Sequence, residues 1–302
     1  MQAVRIHSFG DSQQLKLEET PRPAPRPDEV LVAVRSVGVN PLDWKVRQGH
    51  LGAAPFPLTM GRDFAGEVIE AGGQALDFRP GERVFGFAQG AYAEFAIVAA
   101  GDLAHLPENV SFDTAAALPT PGVTAFQLVT RALGLQAGQT VLIHGAGGAV
   151  GSLAVQLALQ RGARVLATDL NSELGYVTEL GAAQVFDARG KPFEEAVGAV
   201  DAVLDLVGGD TLRRSYALVR RGGVVASTVG GVDEAEAQRR GLRAVAFVMQ
   251  RRPEDLAEVA ALASQGVLRP RIAQVLPLAE ARRAQEMSQR GEAHGKILLR
   301  AA

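Results

Sequence analysis

Two patterns of apolar and polar positions follow one another along the chain. Up to about residue 120, short runs rich in β-branched and aromatic residues alternate with glycine- and proline-rich turns. Ala3 to Ile6, Leu15 to Glu18, Glu67 to Ala71, Gly81 to Gly86 and Ala91 to Val98 each predict a short strand, and Val30 to Val39 a long one. Pro21, Pro23, Pro25 and Pro27 predict a stiff extended crossing, because each fixes its own φ and biases its predecessor away from helix. Asn40-Pro41-Leu42-Asp43-Trp44 breaks the longest strand and predicts a short helix to Gln48. Many short strands with such turns imply a partly open β-barrel rather than a parallel sheet.

After Pro119 and Pro121 the period lengthens. Val123 to Leu133 predicts a helix, Val141 to Ile143 a buried strand, and Leu153 to Ala158 a helix. Strands at Arg164 to Thr168, Gln184 to Phe186, Ala202 to Val207, Gly222 to Ser227 and Ala244 to Val248 continue the series. Strands apolar on both faces, alternating with helices, imply a doubly wound parallel sheet. Pro253 opens a helix to Gln265, Leu278 to Gln289 predicts another, and Lys296 to Arg300 a last strand. That strand is expected to return to the first domain. The expected fold class is therefore α/β, with a barrel-like domain over residues 1–120 completed by 267–302, and a parallel-sheet domain over 121–266.

The stretch TVLIHGAGGAVGSLAVQLA, from Thr140, joins strand, glycine turn and helix in the order of a dinucleotide-binding fingerprint. Its register is Ala146-x-Gly148-x-x-Gly151, with Ala146 at the usual first glycine. Gly148 lets the backbone approach a pyrophosphate, and Gly151 lets the helix lie against its strand. Free N–H groups near Ala149 and Val150 face the phosphates, helped by the positive end of the helix dipole. The next strand ends in Asp169, about twenty residues on, where an acid bonds a ribose hydroxyl and favours NADH. Arg189, after the third strand, is within reach of an adenosine phosphate and keeps NADPH open.

Composition narrows the chemistry. A formal net charge of −2 provides no general attraction to nucleic acid or anionic membrane. No apolar run is long enough to span a bilayer and Met1 to Gly10 lacks a signal-peptide core, so a cytoplasmic protein is expected. The chain has no cysteine, which rules out disulfides, a thiolate nucleophile and thiolate zinc. His7, His50, His105, His144 and His294 show no short metal-binding spacing, and no metal is expected.

The motifs GVNPLDWKVRQG from Gly38, GRDFAGEV from Gly61, PGERVFG from Pro80, GAYAEF from Gly90 and AALPTPGVTAF from Ala116 stand in one order with the glycine turn. LDLVGGDTL from Leu204 and HGKILL from His294 extend the series almost to the end. Together they resemble the medium-chain dehydrogenase/reductase superfamily, and within it the zinc-free quinone oxidoreductase (zeta-crystallin-like) branch. The resemblance implies a GroES-like catalytic domain, a Rossmann domain and a cleft between them. It implies hydride transfer from NADPH, the branch's usual coenzyme, to a quinone or α,β-unsaturated carbonyl, and a homodimer. A cofactor-binding sensor or structural protein with little turnover, and a metal-free alcohol dehydrogenase, are the alternatives.

Zinc-dependent relatives place a cysteine ligand where this chain has Asn40 and a histidine where it has Arg62. Both are candidate donors to a developing oxyanion; Asn40 has a second reading as a cap before Pro41, and Arg62 as the partner of Asp63 or another acid. Asp43 is a candidate catalytic acid or an ordering residue of its loop. Relatives often carry a tyrosine after the glycine matching Gly49; here His50 stands there as a candidate proton donor. On the same resemblance Thr124, Val207, Gly208, Ser227, Val229 and Phe247 surround the nicotinamide half, and Lys296 lies nearby, with a surface lysine as its other reading.

Overall fold

The computed structural model describes residues 1–190 and 192–301. Its residue contacts divide into one unit of Met1–Thr120 with Arg251–Ala302 and a second of Pro121–Gln250.

The first unit opens with β1 (Gln2–Ile6) and β2 (Lys16–Glu19), then β3 (Glu29–Val39), whose central residues are almost all buried. Pro41 at the first helical position ends β3 and starts α1 (Pro41–Arg47), as a residue with no N–H to lose can. β4 (Leu58–Thr59), β5 (Asp63–Ala71), β6 (Arg83–Phe87), β7 (Phe95–Ala99), β8 (Leu103–His105) and α2 (Phe112–Ala116) follow. α3 (Pro119–Gln127) carries the chain into the second unit and passes into a π-turn over Leu128–Ala132.

There the elements are β9 (Thr140–His144), α4 (Ala149–Gln160), β10 (Arg164–Asp169), α5 (Leu174–Glu179), β11 (Gln184–Asp187) and β12 (Val200–Asp205). α6 (Gly209–Ser215), β13 (Val219–Ser227), α7 (Glu234–Arg240) and β14 (Arg243–Ala246) complete it. All six strands run parallel in the order β11-β10-β9-β12-β13-β14, with β9 central. Val141, Leu142 and Ile143 are fully buried, since a central parallel strand is covered on both faces. The order reverses between β9 and β12, at whose carboxyl ends such sheets bind ligands.

The chain returns to the first unit through α8 (Pro253–Ser264), β15 (Ile272–Pro277), α9 (Ala281–Arg290) and β16 (Lys296–Arg300). β16 pairs antiparallel with the end of β3, through Ile297–Val39 and Leu299–Val37, and β3 also pairs with β5 and β7. The unit has its own apolar core, built from β3, β5, β6 and β16 and reaching Ala281 and Ala284 of α9.

The boundary differs from the expected one. Residues 251–266 belong to the first unit: α8 lies along β8, burying Leu256 and Val259, and Asn109 Nδ2 donates to the Ser264 carbonyl at 2.8 Å. Its apolar stripe reads the same whichever sheet it covers, so periodicity alone assigned it to the preceding domain. β4, β8 and α2 are too short for a pattern to mark, and β15, α6 and α7 stand where the pattern predicts no element. The helix expected over Val123 to Leu133 starts earlier, at Pro119, and its last turn, Leu128–Ala132, is a π-turn that continues it.

Candidate active site

In the second unit, β9 ends in His144 and the chain turns sharply at Gly145, whose φ of 73° suits glycine. Gly148 caps α4 with extended backbone and is exposed, and Ala149 and Val150 behind it are partly exposed. The first N–H groups of a helix have no acceptor of their own, so the entry to α4 offers donors to an anion. Gly151 is buried in the close approach of turn and helix: a Cβ there would stand 2.1 Å from the Gly145 carbonyl oxygen. At Gly148 the nearest atom, the same oxygen, would be 3.4 Å away.

Asp169, at the end of β10, turns toward this glycine loop. Its Oδ2 accepts the Gly147 N–H at 2.5 Å and its Oδ1 the Leu170 N–H at 2.7 Å. Arg189 is exposed, and its own N–H donates to the Asp187 carboxylate at 3.0 Å.

Beyond β12 and β13, Val207 and Val229 are 57% and 54% exposed, unusual for valines at strand ends. A Cβ on Gly145 would lie 3.3 Å from Val207, and one on Gly208 would lie 2.8 Å from Val229, so the three loops meet at one edge of the sheet. Asp205, fully buried, holds them. Its Oδ1 accepts the Gly208 N–H at 2.9 Å and the Val207 N–H at 3.3 Å, and its Oδ2 the Ser227 hydroxyl at 2.7 Å. Ser227 is therefore buried support rather than an exposed ligand group, and its oxygen accepts the Val229 N–H at 3.2 Å. Phe247, half-buried, donates its N–H to the Ser227 carbonyl at 2.8 Å. Thr124 is buried in α3 and Ala146 in the turn.

His144 lies under the turn, its Nδ1 2.7 Å from Thr168 Oγ1 and its Nε2 2.8 Å from Ser215 Oγ. Burial lowers its pKa to about 4, outweighing Asp205 and Glu194, so the ring is neutral.

In the first unit, a polar cluster sits where β3, β5 and β16 meet. The Asn40 N–H donates to Asp43 Oδ2 at 2.8 Å, closing the start of α1, and the Tyr92 hydroxyl donates to the same oxygen at 3.0 Å. Tyr92 packs over Gly61, where a Cβ would meet its ring at 2.1 Å. Burial, aided by the neighbouring Asp63 carboxylate, raises the Asp43 pKa to about 6. The Tyr92 phenol is pushed up by burial first and Asp43 second, which keeps it a donor.

Lys296 is 4% exposed. It is not a surface lysine: its Nζ donates to Asn40 Oδ1 and lies 3.5 Å from Asp63 Oδ2. Burial lowers its pKa against the pull of Asp63 and Asp43. Asp63 Oδ1 also accepts the Thr120 hydroxyl at 2.5 Å, and Oδ2 the Thr120 N–H at 3.0 Å. The Asn40 side chain takes part in the capping box of α1 and its oxygen also meets Lys296, while Asn40 Nδ2 is buried with no partner among the described residues.

Arg62 is half-buried and does not pair with Asp63, whose oxygens are taken by Lys296 and Thr120. It lines a pocket of about 320 Å³ with Phe9, Asp43, Val46, Leu58 and Met60. His50 does not join this group. It is exposed, with its ring edge-on to Trp44 at 6.3 Å, because the turn after α1 carries it outward. Sequence reasoning missed Asp63, Tyr92 and Asp205 as site residues. Their signal was a polar group inside an apolar strand or at its end, within motifs already singled out.

Comparisons with known proteins bear on both halves. Residues 26–108 match the family model described as the alcohol dehydrogenase GroES-like domain, and residues 180–299 the one described as zinc-binding dehydrogenase. The quinone oxidoreductase of Sus scrofa is 32% identical over 99% of this chain and 97% of its own length. Among solved structures, the Coxiella burnetii quinone oxidoreductase superposes with a TM-score of 0.91 at 33% identity, covering 100% of this chain and 99% of its own. The Escherichia coli quinone oxidoreductase complexed with NADPH gives 0.91 at 28% identity, covering 100% of both chains. Zinc, implied by the second model's description, does not fit these residues. The chain has no cysteine, the Asn40 oxygen is engaged by an ammonium, and Arg62 is a cation.

Proposed function

Since the chain belongs to the quinone oxidoreductase branch of the medium-chain dehydrogenase/reductase superfamily, we propose that it reduces quinones and α,β-unsaturated carbonyls with a nicotinamide coenzyme, NADPH foremost. The observation that carries the reading is the exposed, unobstructed entry to α4 at Gly148, in a chain this similar to quinone oxidoreductases along its whole length. In this reading the second unit is the Rossmann coenzyme domain and the first the GroES-like catalytic domain.

The residues present fit the coenzyme. Its diphosphate would rest on the N–H groups of Ala149 and Val150, with the exposed Val207 and Val229 side chains offering apolar contact to a ring. The coenzyme supplies a hydride. The pocket beside Arg62 and Asp43 is apolar enough to hold an acceptor ring and exclude water from it. Arg62 offers a cation, and Asn40 a neutral donor, to an oxygen gaining negative charge. Such acceptors delocalise the incoming electrons onto oxygen, so Lewis-acid help is not needed to start the reaction.

The position of Asp169 favours a second reading of the coenzyme. Held inward by two backbone N–H groups, its carboxylate would bond a ribose 2′-hydroxyl and repel a 2′-phosphate, which supports use of NADH. The family membership also supports a homodimer. Loss of nicotinamide absorbance with NADPH and with NADH, against 1,4-benzoquinone, 9,10-phenanthrenequinone and an enone, tests the reading. Turnover of at least one acceptor is expected, and Asp169→Ala is expected to raise the preference for NADPH. Coenzyme binding with no turnover of any acceptor would reject the activity.

A further inference from the structure

The geometry points to Lys296 as a positioning residue: its ammonium, anchored on Asp63, turns the Asn40 amide so that Asn40 Nδ2 is held as a hydrogen-bond donor for the acceptor's carbonyl oxygen. The inference rests on reading the chain as a hydride-transferring reductase, and adds to it how the donor is aimed.

An ammonium has only hydrogens to offer and an amide has one oxygen and one NH₂. With Lys296 Nζ against Asn40, the oxygen must face the lysine and the NH₂ must face away. A flipped amide would set two donors against each other in a buried place. The lysine therefore determines which end of Asn40 is presented. What it presents is a buried NH₂ with no partner among the described residues, in a side chain only 3% exposed. A buried donor without an acceptor costs free energy, which an arriving oxygen recovers.

The rest of the cluster holds this pair in place. Asp63 is fully buried, and both its oxygens are tied to Thr120 before it meets Lys296. The Asn40 backbone is held by Asp43, so neither end of the residue is free to turn. Gly38 makes the space for the lysine stem. A Cβ there would stand 2.9 Å from Lys296 Cε and 3.2 Å from the Asp63 Cβ, besides 2.3 Å from the Ala116 carbonyl oxygen. A buried lysine is expensive to retain for packing alone, since a methionine fills the same volume without a charge.

The donor has a defined task. As hydride from the coenzyme bonds to the acceptor carbon, the π electrons of the conjugated system move to the carbonyl oxygen. The nicotinamide is oxidised, and water then supplies the proton. The oxygen is most basic in between, where a donor already in place stabilises it without reorganisation.

A double-mutant cycle with Lys296→Met and Asn40→Ala tests this, using 1,4-benzoquinone and saturating NADPH. Lys296→Met should lower kcat about 10- to 100-fold with KM for the coenzyme little changed, and should add almost nothing in the Asn40→Ala background. If the two losses multiply, or Lys296→Met leaves kcat unchanged, the inference is overturned. Because the single variant leaves Asp63 charged and buried, Lys296→Met with Asp63→Asn gives a second cycle that removes that charge. Should the wild-type protein reduce no quinone, the functional reading fails, and the Asn40 side-chain ¹⁵N amide pair decides this inference separately. It should shift on adding benzoquinone to wild type, and lose that response in Lys296→Met. A pair that ignores either change overturns it.

Discussion

Two glycines three residues apart in one turn serve opposite purposes, and the structure separates them. Gly151 is needed by the fold itself, because any side chain would collide with the Gly145 carbonyl oxygen at 2.1 Å. Gly148 has ordinary van der Waals room for a methyl group and a φ of −68° that any residue adopts, so nothing in the protein alone requires glycine there. What requires it is the phosphate the turn is proposed to hold. Gly148→Ala is therefore expected to melt within about 1 kcal/mol of wild type while weakening NADPH binding by roughly tenfold or more. Gly151→Ala should lower stability outright. Isothermal titration and thermal melts of both variants measure this; equal effects on folding and binding would contradict it. The same separation holds among polar residues: Ser227 and Asp205 shape the loops that Val207 and Val229 decorate, and touch no solvent themselves.

At the scale of elements, α8 shows what periodicity leaves open. Leu256, Val259 and Ala260 form an apolar stripe that requires a partner surface but does not say which one. Contact with β8 and the bond from Asn109 to Ser264 assign it to the first unit. Leu256→Ala should cost about 2–5 kcal/mol, the usual range for a buried leucine. The loss should be read by Trp44, the single tryptophan, which lies in that unit. A Trp44 signal unaffected by the substitution, with the loss confined to the parallel-sheet unit, would place α8 elsewhere. The π-turn at Leu128–Ala132 is a second case. Leu133 donates its N–H to the Leu128 carbonyl at 2.8 Å, and a helical stripe gives no sign of the extra residue in that turn.

For the whole molecule, the two units carry buried titrating groups of opposite sense. Asp43, raised to about 6 by burial, keeps in the folded state a proton that the unfolded chain releases near pH 4. Its contribution is full below about pH 4 and is lost as pH rises toward 6. His144, lowered to about 4, refuses a proton that the unfolded chain binds below pH 6.5. Its contribution is full above about 6.5 and is lost as pH falls toward 4. Each shift corresponds to roughly 3 kcal/mol. On acidification from pH 6.5 to 4, Asp43→Asn should take away a gain from the first unit, and His144→Gln should spare the second unit a loss. Denaturant unfolding across that range, read by Trp44 for the first unit and by far-ultraviolet dichroism for the whole, measures both. Variants whose pH slopes match wild type would overturn the assignment.

The local pattern was enough to reveal the parallel sheet, the glycine turn and the return of the last strand, because each is written in contiguous residues: branched apolar runs, glycines at fixed offsets, and a terminal apolar strand after a helix. Asn40, Asp43, Arg62 and Lys296 could be singled out on resemblance, but their duties could not. Lys296 and Asn40 are brought together by the pairing of β16 with β3, and Asp63 joins them through β5. Whether a lysine is a surface charge or the buried guide of an amide depends on which strand lies beside it. That choice is made by long-range packing, which no local pattern of side chains encodes.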